Sequence, residues 1–373
     1  MAWELREAPR ATSPDDAAAW AYRGCAEVER QVALADLGDA DGVPSALDVV
    51  VTMNEIGYQR RRRVVAVADD GDGRHVVGSG LLVVDLRDNP DSAFVQVAVL
   101  PAYRRRGIGT ALLAWLVAAA RDEGRAVLQA EVDVADEPGS DGPGVLTAPT
   151  GNGRVRSDVP GVRFALAAGF ELALLARRSC LRLPVDDAVL DRWEADARVV
   201  AGDDYRLHTW RDDLPRRWHA GYADLEHQLT VDEPNPGLDL EPERWDAERV
   251  RVMLARLLRQ RKGFVVTAAE HAPSGRLVAA TWLEHGMDAP AFSEQDTTVV
   301  MPDHRGRRLG LLVKVVNLRA HQAVWPGAER LWTWNNEDNP HMLAINVAMG
   351  FRPAGGAALF QARTADVGPA RLA

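Results

Sequence analysis

VAVLPAYRRRGIGTALLAWLVAAA, residues 97–120, decides how this chain is read. Val97 and Val99 alternate as in a strand, Pro101 closes it, three arginines follow, and Gly107-Ile108-Gly109-Thr110 turns into an apolar-periodic helix ending near Arg121. Glycines at 107 and 109 let the backbone approach a ligand without a Cβ in the way. The first N–H groups of the helix point outward with the positive end of its dipole. Arg104, Arg105 and Arg106 add charge that does not titrate and a fork of donors suited to phosphate oxygens. A pyrophosphate fits such a turn; the alternative is an ordinary strand-to-helix turn with a solvated basic edge.

Composition bounds the rest. At 373 residues the chain is long for one core, so two domains are expected. With 47% apolar and 26% charged residues it reads as globular and soluble, without long disordered regions. A net charge of −10 opposes general affinity for nucleic acid or anionic membranes. Cys25 and Cys180 lie far apart with no metal or redox spacing, so free thiols in a reducing compartment and no metal site are expected. The N-terminus, MAWELREAPRATSPDD, has no apolar signal core, and no apolar run is long enough to span a bilayer; the expected location is the cytoplasm. Lysine occurs only at Lys262 and Lys314, a bias read as genomic rather than mechanistic.

Working outward, Trp3–Glu7 reads as a strand, and Ser13-Pro14-Asp15-Asp16 as a helix start. Val64–Val67 and Val76–Asp85 read as a hairpin about the loop Asp69 to Gly73. Ala126–Val132 reads as the strand after the organising helix. Residues 136–158, rich in Gly, Pro and Asp and without a period, read as a long functional or mobile loop. Pro160–Phe170 reads as a short helix closed by Gly169, before a strand from Glu171 to Leu183. Residues 185–203 read as a connecting helix.

The organising stretch then recurs. TTVVMPDHRGRRLGLLVKVVNLRAHQAV, residues 297–324, aligns Pro302 with Pro101, Arg305 with Arg104 and Gly310 with Gly109, each 201 residues on. Gly350-Phe351 repeats Gly169-Phe170 at an offset of 181. The difference of 20 residues matches the Gly/Pro-rich loop of the first copy, so two copies of one fold are expected: residues 1–184, a linker at 185–203, and residues 204–373.

The spacing Arg104-x-x-Gly107-x-Gly109 after a Val-x-Val-x-Pro strand resembles the acetyl-CoA pyrophosphate loop of the GNAT superfamily of N-acyltransferases. The resemblance covers most of both halves, and the two-copy layout is similar to that of mycothiol synthase-like proteins, in which the second copy is active. It implies an α/β (α+β) fold of two tandem GNAT-like domains, each a mixed, mostly antiparallel sheet flanked by helices and split between its fourth and fifth strands. It also implies acetyl-CoA in that split, held in the first copy by Val97, Val99, Arg104, Arg105, Gly107, Ile108, Gly109 and Thr110. The matching positions of the second copy are Val299, Val300, Arg305, Arg307, Arg308, Leu309 and Gly310, with Arg308 in place of a glycine.

The copies differ in chemistry. Eleven residues before the loop arginine, where family members carry a carboxylate base, the first copy has Ala93 and the second Glu294, with Asp296 two residues on. Four residues before Gly-Phe, the place of the family's Tyr acid, stand Ala165 and Asn346. Asn335 and Asn339 are candidates to orient substrate or CoA, or to cap the following helix. The second copy is therefore expected to be catalytic, with Glu294 as base, Asp296 as the alternative base, and water, His304 or His341 as proton donor. A structural role for His304, and a core or interface role for Trp325, Trp332 and Trp334, are the competing readings. The expected activity is acetyl transfer to a primary amine of a small molecule by a monomer or homodimer; the alternative is a non-catalytic acyl-CoA-binding or scaffold protein.

Overall fold

The computed structural model of the chain describes residues 2–55, 57–69, 74–233 and 235–368, so residues 70–73 of the expected hairpin loop lie outside it. The first half runs β1 (Trp3–Glu7), α1 (Trp20–Asp36), α2 (Ala46–Met53), β2 (Gln59–Ala68), β3 (His75–Asp85), β4 (Ser92–Val99), α3 (Ile108–Asp122) and β5 (Val127–Val134). A small hairpin, β6 (Val145–Thr147) and β7 (Arg154–Arg156), precedes α4 (Pro160–Ala168) and β8 (Glu171–Arg182). After α5 (Asp187–Ala201), the second half repeats the order. It comprises β9 (Tyr205–Arg211), α6 (His219–Asp232), α7 (Ala247–Arg259), β10 (Lys262–His271), β11 (Arg276–Gly286), β12 (Phe292–Val300), α8 (Leu309–Val324), β13 (Arg330–Asn336), α9 (Pro340–Ala348) and β14 (Arg352–Arg363).

Twelve of these strands form one sheet, in the order β1-β2-β3-β4-β5-β14-β8-β13-β12-β11-β10-β9. Among the described residues, β4/β5 and β12/β13 alone pair in parallel. Each of those pairs is short: Ser92–Val95 meet Val127–Ala130, and Phe292–Gln295 meet Arg330–Thr333, after which the strands part. The expected split is present in both halves, and among the described residues the outer ends of β4 and β12 have no ladder on that side.

The centre of the sheet joins the halves. β8, last strand of the first half, pairs with β13 of the second, and β14, last strand of the second half, pairs with β5 of the first. β8 and β14 then pair antiparallel with each other. Ion pairs fasten the crossing: Arg177 grips Glu337 at 2.5 and 2.8 Å, and Arg330 grips Asp41 at 2.6 and 3.1 Å. Leu190 and Ala197 of α5 are buried against α8, so the connecting helix is packed rather than loose.

The segment 136–158, read from sequence as a loop without structure, carries the β6/β7 hairpin instead. Side-chain bonds hold it where periodicity gave no signal. Arg154 pairs with Asp141 at 2.7 Å, while Thr150 and Asn152 both bond Asp338 of the second half, at 3.1 and 2.6 Å.

Candidate active site

The two glycine turns share one backbone. In the first half Arg105 and Gly107 have φ of 60° and 80°; in the second, Gly306 and Arg308 have φ of 75° and 55°. Each turn thus uses the left-handed region at the same two positions, with glycine at one and arginine at the other. Arg308 keeps the turn that its missing glycine put in doubt, at the steric cost of a Cβ in that region. The N–H groups of Ile108, Gly109 and Thr110, and of Leu309, Gly310 and Leu311, open their helices without an intrahelical acceptor. Gly109 is also a packing residue, since a Cβ there would lie 3.3 Å from the Phe164 ring of α4.

Two of the loop arginines are engaged within the fold. Arg104 spends its fork on Asp36 at the end of α1, at 2.9 and 2.7 Å, and its Nε on the Val99 carbonyl at 3.2 Å. Arg305 repeats this, bonding the Val300 carbonyl at 3.1 Å and pairing with Asp232 at the end of α6. Both arginines shape the turn by tying it to a helix end. The donors left for an anion are the helix N–H groups together with Arg105, Arg307 and Arg308, whose side chains have no ion pair among the described residues.

The split of the second half holds an acidic cluster. Glu284 on β11 lies directly opposite Glu294 on β12, an arrangement that like charges disfavour. Lys262 on β10 answers it, with Nζ 3.0 Å from Glu284. Asp296 opens toward solvent on the same face, and below it Glu226 of α6 is buried and takes a hydrogen bond from Thr297 at 3.0 Å. Burial, then the charges of Asp296 and Glu284, push Glu294 up to about 7. Crowding by the walls of the cleft, then Glu284, raises Asp296 to about 6, and burial followed by Asp296 raises Glu226 to about 7. Such a concentration of raised carboxylates in a cleft marks a functional site.

A β-bulge arranges it. The register of β3 with β4 runs unbroken, whereas β12 shifts against β11 so that Asp296 and Thr297 together face Trp282. One extra residue therefore sits in β12, and counting back eleven residues from each loop arginine selects positions that do not correspond. Ladder partners give the counterpart of Glu294 as Phe94, since Phe94 faces Val83 and Gln129 where Glu294 faces Glu284 and Trp332. Ala93 lies on the other face, in the core. The first half has its carboxylates on β5 instead: Glu131 and Asp133 share one face of the strand, and burial raises both, Glu131 to about 7. The alternation Glu131-x-Asp133 was visible in the sequence but passed as an ordinary half-exposed strand.

Other candidates take structural places. Asn339 caps α9, its side chain accepting from the Met342 N–H at 3.2 Å. Asn335 accepts from Asn346 at 2.5 Å, joining β13 to α9 beside the split. The Tyr205 hydroxyl and His304 Nδ1 are 2.9 Å apart, and His271 packs on both rings, away from the carboxylates. His341 is exposed at the start of α9. Trp325 stacks on His285 at 4.7 Å, and Trp332 donates to Asp41 at 2.9 Å beneath Arg178; both are packing residues at or near the junction of the halves. Among the described residues no cluster of three or more metal-ligating side chains occurs, and no helix is long and apolar enough to cross a membrane.

This fold, with its split strands and glycine turns in both halves, is that of two tandem GNAT-like domains. Residues 41–139 match the model of the acetyltransferase (GNAT) family, and the two-copy layout is shared with a tandem GNAT protein. It is similar over 97% of its length to 99% of a tandem GNAT protein from the clavulanic acid biosynthesis pathway, at 25% identity and a TM-score of 0.73. A GCN5-related N-acetyltransferase from Sphaerobacter thermophilus shares the fold at 16% identity and a TM-score of 0.59, with 97% of this chain and 96% of that one aligned. A glucosamine N-acetyltransferase region of a fungal multi-domain β-N-acetylglucosaminidase does so at 14% identity and a TM-score of 0.57, over 96% of this chain and 38% of that one. Among curated proteins no sequence matches.

Proposed function

We propose that the protein transfers an acetyl group from acetyl-CoA to a primary amine of a small molecule, and that the second half carries the reaction. The observation behind this reading is the Glu294 carboxylate, held directly opposite Glu284 and beside Asp296 at the point where β12 leaves β13. A carboxyl titrating near neutrality accepts the proton of an alkylammonium, directly or through water, and the surrounding negative charge favours a cationic substrate. Asp296 is the alternative base.

The chain fits the proposed cosubstrate. The helix N–H groups at residues 309–311, flanked by Arg307 and Arg308, suit a pyrophosphate, and the free edge of β12 at Val299 and Val300 suits an amide-containing arm. The first half offers the same donors at residues 108–110 and the free edge at Val97 and Val99. Its β4 carries Phe94 where β12 carries Glu294, which supports a cofactor-holding or structural role.

The test is Glu294→Gln. Turnover is expected to fall on the order of 10²-fold or more, with acetyl-CoA affinity nearly unchanged. Unaltered turnover would remove Glu294 as the base. If wild-type protein acetylates no amine in a broad panel yet binds acetyl-CoA, the non-catalytic binding role replaces the enzyme.

A further inference from the structure

Amine acetylation needs a proton donor for the departing thiolate, and the second half has no tyrosine in the family's position. Resting on the acetyl-transfer reading above, we infer that Lys314, buried in α8 on the opposite side of the sheet from Glu294, supplies that proton.

Lys314 is 1% exposed, and its Nζ has no hydrogen bond or ion pair among the described residues. The Phe351 ring lies nearby, its centre 5.4 Å from Nζ. The corresponding residue of α3, 201 positions earlier, is the core residue Leu113. An ammonium in a leucine's place is costly to keep unless it has work to do.

Its place follows from the ladder. His321, farther along α8, bonds Ser293 of β12 at 2.7 Å. Lys314 is two turns before His321, about 10 Å back along the helix axis. Because α8 runs opposite to β12, that distance corresponds to about three strand residues beyond Ser293. Lys314 therefore lies over Gln295 to Thr297, where β12 has just parted from β13.

A second buried polar group converges there. Asn346, in the family's tyrosine position, gives its Nδ2 to Asn335 of β13, and its carbonyl takes the Phe351 N–H at 3.0 Å. The Asn346 Oδ1 is buried with no partner among the described residues. Two unpartnered polar side chains, from α8 and α9, thus flank the split on the face away from the carboxylates. Burial alone lowers Lys314 to about 7, so both of its protonation states are accessible near neutrality.

The proton balance is closed by the two faces. On one, Glu294 takes a proton from the substrate ammonium. The freed amine nitrogen bonds to the acyl carbon, the carbon–sulfur bond breaks, and the electron pair leaves on sulfur. On the other face the Lys314 ammonium gives its proton to that sulfur and is left neutral. The nitrogen sheds its second proton to solvent as the amide forms, Glu294 releases its proton there too, and Lys314 regains one from solvent.

The test compares two acyl donors, acetyl-CoA and an acetyl thioester of an electron-poor aromatic thiol, whose thiolate departs without a proton. Lys314→Leu, which restores the first half's core residue and so retains the fold, is expected to slow transfer from acetyl-CoA on the order of 10²-fold, but transfer from the aryl thioester only a few-fold. Lys314→Arg, which keeps the charge but cannot donate at neutral pH, should behave the same way. Glu294→Gln should be slow with both donors. Equal slowing of Lys314→Leu with both donors, or wild-type rates with acetyl-CoA, would overturn the assignment of Lys314 while leaving acetyl transfer standing. A wild-type protein that acetylates no amine from either donor would overturn both.

Discussion

At the scale of single residues, placing like charges together costs stability, and the cost has a pH signature. Glu294 titrates higher in the folded protein, near 7, than its ordinary value of 4.5. A raised carboxyl contributes its full stability below the unfolded value and loses it as pH rises through the folded one. Glu294→Gln should therefore raise the melting temperature at about pH 8, with the gain fading toward about pH 4.5. Activity should follow a bell centred near 7: kcat/KM rises as the Glu294/Asp296 pair ionises and falls as Lys314 loses its proton, and Glu294→Gln loses the rising limb. A melting series and a rate profile on the same two proteins check both. The sequence carried part of this site. Glu294 and Asp296 were legible from spacing, whereas Glu226 and Lys262 were not, because they enter from α6 and β10 and only the folded sheet brings them to that face. The two lysines of the chain lie on opposite faces of the second half's sheet, Lys262 beside Glu284 and Lys314 in α8.

At the scale of elements, the repeated turn was legible because glycine and proline punctuate it at fixed intervals. Its exact chemistry was not. Arg104 and Arg305 looked like phosphate ligands, and their commitment to Asp36 and Asp232 depends on where α1 and α6 end, which the motif does not encode. Likewise the extra residue in β12 is invisible to counting, and it moved the counterpart of Glu294 from Ala93 to Phe94. The left-handed Arg308 offers a test of the turn. Arg308→Gly should stabilise the protein by about 1 kcal/mol, the strain of a Cβ in that region being partly offset by the freer unfolded chain. Chemical denaturation would show it as a higher midpoint with an unchanged slope. For the cofactor, titration calorimetry with acetyl-CoA is expected to lose one site when Arg308 and Gly310 are replaced by Glu and Val, the other half keeping its own. Unchanged stoichiometry would show that this turn holds no pyrophosphate.

At the scale of the whole molecule, the internal offset of 201 residues made two copies legible, but not their manner of joining. Nothing in β8 or β14 distinguishes a strand that returns to its own half from one that crosses. Both read as apolar strands after Gly-Phe, and the choice rests on the pairing of β8 with β13 and β14 with β5. Residues 1–184 made alone would expose β8 as an unpaired strand and leave β5 without its neighbour. Each half made separately is thus expected to aggregate or to dimerise through that edge, while the two made together reassemble. The intact chain should unfold in one cooperative transition; two well-separated transitions in calorimetry would contradict the shared sheet.

The reciprocal exchange of β8 and β14 is the contact that two identical subunits make about a twofold axis. In such a pair every substitution appears twice, and the pockets must change in step. Once a single polypeptide supplies both partners, that symmetry no longer binds it. One pocket can place its carboxylates on β12 and the other on β5, one can bury a lysine where the other keeps Leu113, and each difference is inherited through one gene while the shared sheet holds the two in a fixed embrace.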